Sequence, residues 1–112
     1  MSRSDGERVD DIVEAASEIG AIVAAGRDAW RSDRVRQLAV ERLLEIIGES
    51  ARAMTDAGRA RYPAVPWVDV IGLRTILAHH YHRVDPDQVW TIACNDVPVL
   101  LDGLARRRPG TG

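Results

Sequence analysis

Apolar residues recur at Val9, Ile12, Val13, Ala16, Ile19, Ile22 and Val23. Steps of three and four place them on one helical stripe, which predicts an amphipathic helix from Asp5 to about Ala25. Gly26 is its expected stop, since glycine accepts the left-handed conformation that closes many helices. After a polar connector around Trp30, Ser32 is the expected cap of a second long helix. Its apolar positions are Val35, Leu38, Ala39, Leu43, Leu44, Ile46 and Ile47, and it should run to Ala57 or Gly58. The stretch from Gly58 to Pro66, with two prolines and a glycine, reads as the main loop.

Pro66-Trp67 then opens a third predicted helix, Trp67 to about His82, with Val70, Ile71, Leu73, Ile76, Leu77 and Tyr81 mostly inward. Asp85-Pro86 reads as an N-cap followed by proline at the first helical position. The fourth helix carries Val89, Trp90, Ile92, Ala93, Val97, Leu100, Leu101 and Leu104, and Pro98 inside it should kink it or remove one hydrogen bond. No segment alternates with period two and no repeat is present, so the fold class is all-α, an up-and-down bundle of about four main helices. The expected domain is single, 1–112, with a core over about 8–104 and a frayed tail over 105–112.

Size agrees with that count, because 112 residues suit one domain of the usual roughly 100 to 200. With 46% apolar and 29% charged residues the chain is too hydrophobic for a disordered one. Its apolar runs fall far short of the ~20 residues a membrane-spanning helix needs, and the N-terminus lacks a signal core. The expected location is cytoplasmic, with no membrane partner. Cys94, alone, forms no internal disulfide and is expected to pack as a small hydrophobe. A net charge of −2 exerts no overall pull on nucleic acid, so any RNA contact has to come from a local basic cluster. All fifteen cations other than histidine are arginine, a residue suited to bidentate phosphate contact.

Such a cluster exists in Arg74-Thr75-Ile76-Leu77-Ala78-His79-His80-Tyr81-His82-Arg83, which holds every histidine of the chain. The set suits RNA cleavage by internal attack of the 2′-hydroxyl. Histidine moves protons near neutral pH, and arginine holds a phosphate and stabilises the charge developing on it. No metal or other cofactor is required. On an ideal helix Arg74 and His79 sit about 140° apart, so a helix end or a partner subunit would have to bring them onto one target. Spacing alone equally fits a plainer account, in which basic residues gather where they favour the helix dipole.

The sequence around the cluster is more specific. Arg74-x-x-x-x-His79-x-Tyr81 resembles the R-x-x-x-x-H-x-Y motif of HEPN ribonucleases, and in particular the HepT toxins of HepT/MntA pairs. Residues 39–51 (AVERLLEIIGESA) resemble that family's second helix, and residues 63–74 (PAVPWVDVIGLR) its approach to the motif. Val84-Asp85 through Val89-Trp90 resemble the segment after it, so the likeness covers roughly residues 8–104.

The resemblance implies a helical bundle, usually a homodimer whose motifs face one another. It also implies endonucleolytic cleavage of cellular RNA such as tRNA or mRNA, as the toxin of a type VII-like toxin-antitoxin system. A nucleotidyltransferase antitoxin of MntA type would neutralise it. On that basis His79 transfers protons, Arg74 binds phosphate and Tyr81 accepts AMP from the antitoxin. A bulky anion beside Arg74 would fill the phosphate site and repel RNA. The family very often has asparagine after the motif arginine. Here Thr75 keeps a hydroxyl and loses the amide donor, while His80 adds a second imidazole that assists or replaces His79. A catalytically silent HEPN module, serving as a nucleotide-binding, RNA-binding or protein-interaction partner of a nucleotidyltransferase, is the alternative.

Arg42, Glu45, Glu49 and Arg52 form one polar ridge on the second helix. They are either a surface network of ion pairs or a support that orients Arg74 or His79. Of the histidines only His79 and His82 have metal-ligand spacing, so no metal is expected. Trp67 and Trp90 are expected to pack in the core or an interface. Arg106-Arg107-Arg108 is read as a solvated helix end that could also meet RNA phosphates.

Overall fold

The computed structural model describes residues 3–77 and 84–107. They form α1 (Asp5–Val23), α2 (Arg27–Arg31), α3 (Arg34–Ala53), α4 (Asp56–Ala60), α5 (Trp67–Leu77) and α6 (Pro86–Thr91). A π-helical turn, Ile92–Asp96, joins α6 to α7 (Val97–Ala105), and no strand occurs among the described residues. The chain is an all-α bundle. Four rods make it, α1, α3, α5 and the continuous α6–π–α7, with α2 and α4 as short connectors. The part of the third helix expected beyond Leu77, Tyr81 included, lies outside the described residues, as do residues 108–112 of the tail.

Each rod starts from a local signal. Ser4 and Glu7 exchange hydrogen bonds with one another's backbone at the head of α1. Behind that cap, Ile12, Ala15, Ala16 and Ile19 are buried on one stripe, whereas Val13 turns outward. α3 packs between α1 and α5 and contributes Val40, Leu44, Ile47 and Ala51 to the core. Arg36 near the start of α3 donates to the Ile22 carbonyl near the end of α1, and Asp5 meets Thr55 beyond the end of α3. The two helices therefore run antiparallel. Val89, Ile92, Ala93, Val97, Leu100 and Leu104 close the core from the fourth rod.

Four expectations are corrected. Trp30 is not part of a polar connector. It sits on α2, 1% exposed, donates Nε1–H to the Pro86 carbonyl at 3.1 Å, and packs its ring 5.7 Å from that of Trp90. The cap of α3 is Asp33, whose carboxylate accepts from Val35 and Arg36 N–H, while Ser32 closes α2. Burial on α3 is also rotated from the expected stripe. Val35 and Leu38 are 76% and 49% exposed, and Gln37 is buried because its side-chain amide donates to the Trp30 carbonyl at 2.8 Å. The helix ends at Ala53, before the expected Ala57 or Gly58, and α4 occupies the start of the expected loop.

At Pro98 the expected disturbance takes a definite form. Proline has no N–H for the preceding turn, and the backbone widens just ahead of it. Val97 N–H bonds to the Ile92 carbonyl, five residues back, which is the π pattern. Asp85 caps α6 and Pro86 follows, as expected.

Asp5 ties three elements together at one end of the bundle. Its carboxylate accepts from the Thr55 N–H at 2.9 Å and from the Thr55 hydroxyl, while that hydroxyl accepts from Gly58 N–H and caps α4. The Thr55 hydroxyl bond, then its N–H bond, hold the Asp5 carboxyl below its ordinary value. Protonation thus opposes the fold. The stabilisation is complete above the ordinary carboxylate range near pH 4 and is lost as pH falls through the lower folded-state value. Thermal melts should show Asp5→Asn less stable than the parent at pH 7, with the gap narrowing towards pH 2.5. A gap that does not change with pH would count against this clasp.

Candidate active site

The described part of the motif is Arg74-Thr75-Ile76-Leu77; His79, His80 and Tyr81, with His82 and Arg83, lie outside the described residues. Arg74 is half-buried on α5 and Thr75 is exposed. What places Arg74 is a glycine on the neighbouring helix. A Cβ on Gly48 of α3 would lie 2.8 Å from Arg74 Cγ and 3.4 Å from both Arg74 N and the Val70 carbonyl oxygen. The backbones approach so closely there that the Arg74 stem occupies the space any other residue would fill. Gly48 is the site residue that sequence reasoning missed. A glycine inside an otherwise strong helix pattern was the available signal, since it costs helix stability without local return.

The same crossing opens into a cavity of about 320 Å³ lined by Glu49, Arg52, Ala53 and Arg74. Of the polar ridge on α3, the structure brings Glu49 and Arg52 to Arg74 and leaves the other pair elsewhere. Arg42 is bound to Glu45 at 2.9 Å on the exposed surface, an ion pair worth well under about 1 kcal/mol. That pair lines none of this cavity.

Charge pairing separates these arginines from most others. Arg3, Arg27, Arg31, Arg34, Arg36, Arg42, Arg59 and Arg106 each lie within 4 Å of a carboxylate oxygen. Among the described residues neither Arg74 nor Arg52 has an ion-pair partner or a side-chain hydrogen bond. Two guanidinium groups in one cavity without a carboxylate bound to them are free to hold an oxyanion through paired N–H donors.

Other candidate groups fall into structural roles. Trp67 Nε1–H donates to the Arg59 and Tyr62 carbonyls at 3.0 and 3.2 Å, and Trp90 packs on Trp30. Cys94 is half-buried in the π-helical turn. Burial pushes its thiol up against the weaker pull of Arg27, which keeps it protonated and unreactive. A second cavity of about 380 Å³, between α5 and the π–α7 segment, is mostly apolar and is bordered by Val68 and Val99, 85% and 55% exposed. No helix among the described residues is long and apolar enough to cross a membrane.

The described chain is an all-α bundle in which Arg52 and Arg74, from neighbouring helices, line one cavity. The sequence profile of the HepT-like ribonucleases matches residues 12–106. A Methanocaldococcus jannaschii protein described as a candidate RNase is 35% identical over 94 residues, 84% of this chain and 81% of that one. A Thermococcus cleftensis protein named as a probable ribonuclease HepT is 32% identical over 109 residues, 96% and 99% of the two chains. A second candidate RNase of M. jannaschii is 38% identical over 71 residues, which is 59% of its length. No solved structure matches the chain significantly. The chain belongs to the HepT-like family of HEPN ribonucleases.

If Gly48 sets the helix crossing, Gly48→Ala should lower stability by about 1–3 kcal/mol, the usual range for overpacking a tight contact. Gly20→Ala is the matched control, because nothing lies within 4 Å of its Cβ position on the exposed face of α1. It should raise stability by up to about 1 kcal/mol. Urea denaturation of both variants measures the difference, and equal midpoints would remove the packing argument.

Proposed function

We propose that this chain is a metal-independent endoribonuclease that acts as the toxin of a toxin-antitoxin pair, with Arg74, His79 and Tyr81 as the centre of its site. The observation that carries this reading is the placement of the motif arginine, half-buried over Gly48 with no ion-pair partner among the described residues. Eight described arginines recruit a carboxylate; Arg8, Arg52 and Arg61, like Arg74, do not, and it is the seat against Gly48 that sets Arg74 apart.

In the proposed reaction Arg74 binds the scissile phosphate and stabilises the charge that grows on it as the neighbouring 2′-hydroxyl attacks. The P–O5′ bond breaks to leave a 2′,3′-cyclic phosphate, and His79 carries the proton between the 2′-hydroxyl and the departing 5′-oxygen, as a side chain that titrates near neutrality can. Thr75 and His80 flank these groups in sequence and can assist with a hydroxyl and a second imidazole. Glu49 shares the Arg74 cavity, whereas Arg42 and Glu45, paired with each other, act on the helix surface.

The proposed assembly is a homodimer, which would let Arg74 and His79 of different copies share a substrate despite their angular separation on one helix. Exposed Val68 and Val99 beside the apolar cavity give the chain a surface that a second copy would cover. An MntA-like nucleotidyltransferase is the proposed antitoxin. Transfer of AMP to Tyr81 would place a phosphodiester anion next to the motif and compete with RNA for Arg74.

Induction of the wild type without antitoxin should arrest growth and produce discrete new RNA ends, tRNA and mRNA included among the candidate targets. His79→Ala and Arg74→Ala should lower cleavage by the purified protein at least about a hundredfold, as loss of a proton-transfer or charge-stabilising group usually does. Tyr81→Phe should still cut RNA while resisting modification by the nucleotidyltransferase. Cleavage by wild type and His79→Ala at equal rates would overturn the reading. Absence of cleavage by soluble protein unmodified at Tyr81 would favour a silent nucleotide-binding, RNA-binding or protein-interaction module.

A further inference from the structure

We infer that Arg52 is a second RNA-binding residue, which takes the phosphate next to the scissile one, so that the cavity between α3 and α5 is a flanking-phosphate subsite. The inference rests on the reading of Arg74 as a phosphate ligand and adds to it a residue outside the motif. Arg52 and Arg74 line the same cavity of about 320 Å³ and come from different helices. Neither has an ion-pair partner among the described residues, which is true also of Arg8 and Arg61; what distinguishes Arg52 and Arg74 is the cavity they share. Successive phosphates on one strand repel each other, and a pair of cations in one cavity offsets that repulsion over two linked groups.

The turn that carries Arg52 is held firmly. The Arg59 guanidinium donates to the Ala51 and Met54 carbonyls at 2.9 and 2.6 Å, with a longer bond of 3.4 Å to the Arg52 carbonyl itself. Asp56 fixes the other end of that guanidinium at 2.6 Å. The last turn of α3 is therefore capped by Arg59, and the capping task does not fall to the Arg52 side chain. Glu49, one turn earlier, lines the same cavity, and its carboxylate opposes an anion there.

A plainer role for Arg52 is its favourable position near the C-terminal dipole of α3. The two roles differ in what salt does to RNA binding. Each phosphate contact to a single strand contributes about 0.7 to the slope of log affinity against log salt, because a condensed counterion is released. A dipole role contributes to folding stability and nothing to that slope.

The test uses full-length protein carrying His79→Ala, so that RNA is bound and not cut, with a fluorescent single-stranded RNA titrated between 50 and 300 mM salt. Adding Arg52→Gln should reduce the slope by about 0.7 and weaken binding roughly five- to tenfold at the lowest salt. Glu49→Gln should tighten binding without lowering the slope. Arg34→Gln, at the opposite end of α3 about 27 Å away and paired with Glu41, should change neither.

An unchanged slope with Arg52→Gln overturns the subsite, as does weaker binding with Glu49→Gln. Cleavage by the wild type is scored separately. RNA that is cut, with no response to Arg52→Gln, sinks the subsite alone; the expected slope change in a protein that never cuts RNA sinks the endonuclease alone.

Discussion

The close crossing of α3 and α5 is the constraint on which the rest of the molecule turns. α3 is the central rod, in contact with α1 on one side and α5 on the other. Close packing of two helices depends on the side chains at the contact, and a glycine lets the axes approach further than any other residue. Gly48 provides this, and the Arg74 stem fills the space a Cβ would take. The consequence is a charged side chain whose methylenes belong to the helix interface while its head remains at a cavity. Packing thus fixes the stem of Arg74 against the central rod.

The second organising feature is where the charges are not paired. An arginine-only complement of cations in a protein of net charge −2 would, if left free, coat the surface with weak anion sites. Most described arginines instead meet carboxylates, many of them on their own helix, as with Arg42 and Glu45 or Arg106 and Asp102. Such exposed pairs add little stability. They lower the positive potential of the outer faces, and of the four described arginines left without such a pair, Arg8, Arg52, Arg61 and Arg74, two share one cavity.

Much of this was readable from sequence because local rules and tertiary packing agreed. The stripe Ile12, Ala16, Ile19 became core, Asp85-Pro86 capped α6, and Pro98 disturbed the last rod as proline must. The misreadings share a cause. Trp30 looked like part of a polar connector because its neighbours Arg27, Asp28, Arg31 and Ser32 are polar, yet its burial is decided by Pro86 and Trp90, far along the chain. Gln37 is buried for the same nonlocal reason: it satisfies the Trp30 carbonyl, and that pins α3 in a rotation which turns Val35 and Leu38 outward. At the candidate site, the motif arginine was legible as a residue but its support was not. Periodicity assigns Gly48 to a helix and says nothing about which neighbouring helix it meets.

This arrangement also bears on how such a site is controlled. Electrostatic attraction for a polyanion that depends on a few cations in one cavity is small in total, and it falls steeply with salt and with any added negative charge. A broad basic face would tolerate one new anion with little loss of binding. A cavity whose positive potential comes from two arginines, with Glu49 already opposing them, would not. Ion pairing elsewhere engages eight of the other described arginines, while Arg8 and Arg61 carry no ion pair among the described residues. On the proposed reading a single anionic group beside Arg74 would oppose phosphate binding there, and the acidic balance of the chain adds to that opposition.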